Sequence, residues 1–175
     1  MRTNLMKWLL LSLIVPTVCR CAGLPLESTG VRFGFPAQDA PAFRQAEVFA
    51  DFNLPWRTEL GTNWLVQTRL DASAGWLGEN GGDAFIASAG PLAVLQRKDF
   101  PVTLELGSSP TALSRDKFPA RDFGIPFQFT SYLGVDWNVS RHVRLGYRFQ
   151  HMSNAHLGTP NPGLNMNVIT ASYSF

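Results

Sequence analysis

Apolar side chains recur at every second position through most of this chain, and that period of two is the spacing of a β-strand, not of a helix. Val31, Phe33 and Phe35 alternate with Arg32 and Gly34. Val48, Ala50, Phe52 and Leu54 alternate with Glu47, Phe49, Asp51 and Asn53. The same rhythm runs from Trp64 to Trp76, Val102 to Leu106, Phe123 to Trp137, Val143 to Phe149 and Ile169 to Phe175, and a less sharply faced segment spans Asp83 to Leu95. Turn-rich segments such as GENGGD, NVSR and AHLGTPNPG separate these runs. The pattern predicts eight strands in one domain, with no internal repeat beyond the hairpin rhythm.

Before the first strand, Arg2 and Lys7 precede a short apolar run from Trp8 to Val18, the form of a secretory signal. Residues 1–23 are expected to be that signal and residues 24–175 the single barrel domain. Cleavage after Cys21 is nearly as good as cleavage after Gly23, and an uncleaved anchor is the rival reading. Cleavage after Gly23 removes both Cys19 and Cys21, so the exported domain carries no disulfide. It also leaves 12 basic against 13 acidic residues, which provides no basic footprint for nucleic acid.

Alternation alone does not say which face meets water. A soluble eight-stranded barrel hides its apolar face, whereas an outer-membrane barrel turns it to lipid. The polar faces here carry Arg32, Glu47, Asp51, Arg69, Asp71, Glu105, Asp136, Arg144 and Arg148 but no Lys, which a water-exposed surface uses freely. Trp56, Trp64, Trp76, Tyr132 and Trp137 lie near strand ends, where interfacial aromatic belts are expected. The C-terminal NVITASYSF resembles the last strand of outer-membrane barrels. The expected fold is therefore all-β, an eight-stranded antiparallel transmembrane β-barrel of the Gram-negative outer membrane. With a periplasmic N-terminus, NVSR is an inner turn, while SSPTALSRDKFPARD and AHLGTPNPG are outer loops.

One stretch breaks the apolar pattern. In YRFQHMSNAHLGTPNPGLN, residues 143, 145, 147 and 149 are Val, Leu, Tyr and Phe on the outward face, and the next two positions on that face are His151 and Ser153. Polar groups facing lipid are costly and point to function. Residues i and i+2 lie about 6.6 Å apart along a strand, a gap an imidazole can span to a hydroxyl. A His that removes the Ser proton makes a nucleophile for an ester carbonyl, and Asn161 or loop N–H groups are candidate oxyanion donors. The competing reading is an interfacial His and Ser solvated by headgroups. His142 and His156 read as turn or loop residues.

The same stretch resembles the active-site region of the PagL-type lipid A 3-O-deacylases, through His-x-Ser-Asn-Ala and the following Pro-Asn-x-Gly turn. The resemblance implies an eight-stranded outer-membrane barrel that hydrolyses the ester-linked 3-hydroxyacyl chain at position 3 of lipid A. It implies Ser153 as nucleophile, His151 as base, and Asn161 with Asn154 in the oxyanion or substrate-binding group. The family's Glu that orients the His falls at Asn165, and a Gly after the Ala falls at His156. Asn165 reaches the pair if 153 stands opposite 165. Glu79, Asp83, Asp116 and Asp122 are the alternative acids.

The remaining expectations follow. No metal-ligand spacing or phosphate-cradling motif is present, and Ser-His hydrolysis uses no cofactor. The expected partners are lipid A or lipopolysaccharide as substrate, outer-membrane lipids, a second copy in a homodimer, and no nucleic acid. The rival functions are a catalytically silent outer-membrane barrel and a soluble ligand-binding barrel.

Overall fold

The computed structural model describes residues 23–37 and 42–175. The signal sequence expected over residues 1–23 lies, apart from Gly23, outside the described residues. The strands are β1 (Leu26–Pro36), β2 (Arg44–Leu60), β3 (Trp64–Glu79), β4 (Gly82–Arg97), β5 (Val102–Leu113), β6 (Lys117–Phe118), β7 (Arg121–Asp122), β8 (Phe127–Asn138), β9 (Val143–Ser153) and β10 (Leu164–Ser174). Eight of them close a barrel in the order β1-β10-β9-β8-β5-β4-β3-β2, and β6 with β7 forms a small separate hairpin in the loop between β5 and β8. Every recorded pairing is antiparallel, as the short connections require.

Closure comes from β1 against β10, where Ser28 faces Ser174. Both ends of the barrel domain therefore sit at one rim. β9 runs away from that rim, which carries His151 and Ser153 to the opposite one. An 11-residue strand such as β9 spans about 36 Å, or about 27 Å once tilted by roughly 40°, close to the thickness of a hydrocarbon core.

The wall is turned apolar side out. Phe33, Val48, Leu106, Leu133 and Ile169 are exposed, while their neighbours Arg32, Glu47, Glu105, Tyr132 and Thr170 are buried. The interior has two layers. Towards the terminal rim it is polar: Arg32 pairs with Asp71, Arg69 with Glu27 at 2.9 Å, and the Ser28 hydroxyl donates to Asp51 at 2.9 Å. The Arg32 guanidinium also lies 3.7 Å from the Phe49 ring centre. Towards the other rim it is apolar. Phe43, Phe118 and Phe123 meet in edge-on and tilted contacts above Leu77, Met152, Leu164 and Met166.

Three expectations are corrected. The first six residues of the expected outer loop SSPTALSRDKFPARD, Ser108 to Leu113, continue β5 instead. The strand predicted from Phe123 begins at Phe127, because Gly124 takes φ +80° and Pro126 has no N–H for a ladder. Phe123 instead turns inward and plugs the barrel, its N–H donating to the Asp116 carbonyl at 2.8 Å. Tyr132, expected in an interfacial belt, is inside and 4% exposed. Gly107 makes room for it, since a Cβ there would fall 2.2 Å from the ring, and Arg148 lies 4.1 Å from the ring centre. Trp56, Trp64, Trp76 and Trp137 are exposed on the wall as belts require.

Candidate active site

His151 and Ser153 lie on the outer face of β9, separated by buried Met152, because adjacent residues of a strand alternate in direction. His151 is exposed, and Ser153, the last residue of the strand, is half-buried. On β10, Asn165 stands directly opposite His151. The expected pairing of 153 with 165 is therefore wrong by two residues. A slip of two leaves every side chain on the same face, so alternation cannot detect it.

The corrected register improves the contact. His151 Nδ1 lies 2.7 Å from Asn165 Oδ1, an arrangement in which the ring N–H donates and the amide oxygen accepts. In the neutral ring Nε2 is then the acceptor nitrogen. The ring leans outward along the strand, with Cε1 and Nε2 over Gly163. Leu164 faces Met152, so the next residues towards the rim are Gly163 and Ser153. Among the described residues the recorded neighbour of that ring edge is Gly163, and no hydrogen bond joins Nε2 to the Ser153 hydroxyl.

Gly163 carries two burdens that sequence reasoning missed. Its φ is +65°, and a Cβ would sit 2.8 Å from His151 Cε1. Its carbonyl accepts from Arg121 of the β6–β7 hairpin, which ties that loop to the site. Gly163→Ala is expected to cost about 1–2 kcal/mol of stability through its left-handed backbone. It is also expected to lower turnover at least about tenfold by displacing the imidazole. Turnover measured on the folded variant, alongside a denaturant titration, separates the two effects. Retained turnover would show that the ring position is not critical.

The loop from Asn154 to Gly163 is organised by two asparagines. Asn161 Oδ1 accepts the Asn154 backbone N–H at 3.0 Å, which fixes the amide orientation because a backbone N–H only donates. The Asn161 Nδ2 donor is then directed away from that bond, beside the peptide that follows Ser153. Asn154 has a different place from the expected substrate-binding one. Its side chain is fully buried and donates to the carbonyls of Phe123, Gly158 and Pro160 at 2.9, 3.2 and 3.0 Å. It holds the loop from inside. Ala155 and His156 both take left-handed φ, at 51° and 63°, so His156 adopts a conformation that a Gly would meet without strain. The Leu157 N–H closes the turn onto the Asn154 carbonyl at 2.9 Å.

None of the four alternative acids is recorded in contact with His151 among the described residues. Glu79 accepts from the Ala120 N–H, while Asp122 accepts from Gly124 and pairs with Lys117 at 3.6 Å. Asp83 packs against Gly78, and Asp116 binds Phe123 through its backbone carbonyl. Among the described residues, the recorded hydrogen-bond partner of the His151 side chain is Asn165. His142 sits at the far rim, stacked on Tyr173 and bonded to the Ser174 carbonyl at 2.9 Å. No group of three or more His, Cys, Asp or Glu residues suited to a metal ion occurs among the described residues.

Residues 44–174 match the family described as lipid A 3-O-deacylase (PagL). The chain belongs to the PagL family. It is 30% identical over 125 residues to the lipid A deacylase PagL of Bordetella bronchiseptica, covering 69% of this chain and 70% of that protein. Its fold is similar to the crystal structure of the outer membrane enzyme PagL, with a TM-score of 0.72 over 83% of this chain and 97% of that one, at 17% identity. The apolar exterior of the closed barrel agrees with this family. The chain is an outer-membrane barrel of a hydrolase family whose substrate is lipid A.

Proposed function

We infer that the protein hydrolyses the ester-linked 3-hydroxyacyl chain at position 3 of lipid A through a Ser-His site on the lipid-facing wall. The observation that supports this most is the 2.7 Å contact from His151 Nδ1 to Asn165 Oδ1. It sets the tautomer a general base needs, with Nε2 as the nitrogen that takes a proton. Ser153 Oγ attacks the acyl carbonyl as His151 Nε2 takes its proton. The Asn161 amide donates to the oxyanion. His151 then returns the proton to the departing sugar hydroxyl, leaving an acyl-enzyme on Ser153. A water, deprotonated by His151, releases the hydroxy acid and restores the serine. A wall site suits this substrate, because the ester never has to leave the membrane.

Asn165 stabilises the imidazolium less than a carboxylate would. A hydrogen bond to a charged group contributes about 1–2 kcal/mol more than a neutral one, so Asn165→Asp is expected to raise turnover about tenfold. An unchanged or lower rate in the folded Asp variant would show that the acid is not what limits the enzyme.

The direct test is a mass spectrum of lipid A from cells with and without the protein. Loss of one hydroxyacyl mass is expected only in cells that carry it. An unchanged spectrum, with the barrel shown folded in the outer membrane, would overturn the reading in favour of a catalytically silent barrel.

A further inference from the structure

The register brings a second polar pair onto the outer wall. Ser131 on β8 stands directly opposite His151 on the side away from Asn165, and Ser108 on β5 stands opposite Ser131. Ser108, Ser131, His151 and Asn165 therefore form one exposed row across four neighbouring strands. The two serine hydroxyls lie 3.0 Å apart and bond to each other. Around them the wall is apolar, with Leu106 and Pro110 on either side of Ser108, and Phe129 and Leu133 on either side of Ser131. Neither hydroxyl is needed to orient His151, whose ring is engaged by Asn165 and lies over Gly163.

A hydroxyl pair satisfies only part of its own bonding capacity. One Ser donates to the other, and the second proton and the remaining lone pairs stay open to a ligand. With apolar side chains on either side of each serine, that capacity is offered to a ligand lying along the wall. The pair is thus tuned to a group that both donates and accepts, and among acyl-chain substituents that group is a hydroxyl.

The spacing agrees. Ser153 faces Phe129, so Ser131 is its diagonal neighbour across β8 and β9, with Cβ atoms about 7–8 Å apart. In a 3-hydroxyacyl ester the hydroxyl sits on the second carbon beyond the carbonyl. Roughly 3 Å from the nucleophile to the carbonyl carbon, with a similar step on to the hydroxyl and a hydrogen bond beyond it, covers that diagonal. The geometry points to Ser131, supported by Ser108, as the subsite that recognises the 3-hydroxyl of the scissile acyl chain. This rests on the deacylase reading and adds to it the residues that select a hydroxylated chain.

The test uses the purified protein and two synthetic glucosamine lipids acylated at the 3-position. One carries a 3-hydroxyacyl chain, the other a chain of equal length without the hydroxyl. The wild type is expected to favour the hydroxylated ester about three- to tenfold in kcat/KM, the worth of one neutral hydrogen bond. Ser131→Ala is expected to bring that ratio close to one, Ser108→Ala to reduce it in part, and Ser131→Thr, which keeps the hydroxyl, to preserve it. Heat-modifiable migration on gels reports folding, and the Ser108→Ala and Ser131→Thr ratios carry the test if Ser131→Ala fails to fold. A ratio of one in the wild type, or a ratio unchanged in the alanine variants, overturns the subsite while leaving the deacylase intact. A folded wild type that cleaves neither lipid overturns both.

Discussion

Ser153→Ala is expected to lower the rate of acyl release by about 10⁴-fold or more, and His151→Ala by a similar factor. The double variant should be no slower than either single one. A nucleophile and its base act as a unit: without the hydroxyl the imidazole has no proton to take, and without the imidazole the hydroxyl stays protonated. Residues that merely contact lipid contribute separately, so their losses would multiply. Rates for the wild type, both single variants and the double variant on a detergent-dispersed ester lipid distinguish the cases. Two small losses that multiply would remove Ser153 and His151 from the chemistry and leave them as headgroup contacts at the end of β9.

The barrel was legible because its exterior is written in period two. Val31, Phe33 and Phe35 outside with Arg32 and Gly34 inside leave one choice of face for β1. The absence of Lys from the polar face separated a filled lumen from a wet surface. The same logic, followed strictly, would have placed Tyr132 inside, between outward Ser131 and Leu133. Tyr132 stands in the middle of β8, not at an end where a belt would place it. Phe123 failed for another reason. It continues the alternation into Ile125 and Phe127, but Gly124 and Pro126 break the backbone between them. The apolar plug that Phe123 forms with Phe43 and Phe118 depends on loop folding, which no period records.

At the site, residue types were visible and partnerships were not. His151, Ser153 and Asn165 share an outward parity, and the sequence shows that directly. Which of them face each other depends on register, and a two-residue slip conserves parity. The true pairing places Asn165 against His151 rather than Ser153, which suits a residue that orients the base. Gly163 and Ser131 emerge only from that pairing. The Pro-x-Gly turn was a signal for the first, and no local pattern marks the second. Asn154 is a neighbour of Ser153 in sequence but its side chain is buried beneath the loop, bonded to the Phe123, Gly158 and Pro160 carbonyls.

The polar lumen sets the other large effect. Arg32 and Asp71 are paired across the barrel with almost no exposure of either side chain, and Arg32 also covers Phe49. Asp71→Ala would leave the guanidinium buried beside Phe49 with its main counter-charge gone. Breaking one side of a buried pair costs about 3–5 kcal/mol. A shift of that size is expected in the denaturant unfolding of Asp71→Ala, measured in lipid vesicles. Exchanging both partners, Arg32→Met with Asp71→Leu, should recover most of the loss, because the desolvation of two charges is removed together with their attraction. If instead Asp71→Ala unfolds like the wild type, Arg32 must find enough compensation from Asp51 and Glu47, the other carboxylates that act on it. The lumen would then be a shared charge network in which no single pair is decisive, and removing Asp51 together with Asp71 would be the change that destabilises the barrel.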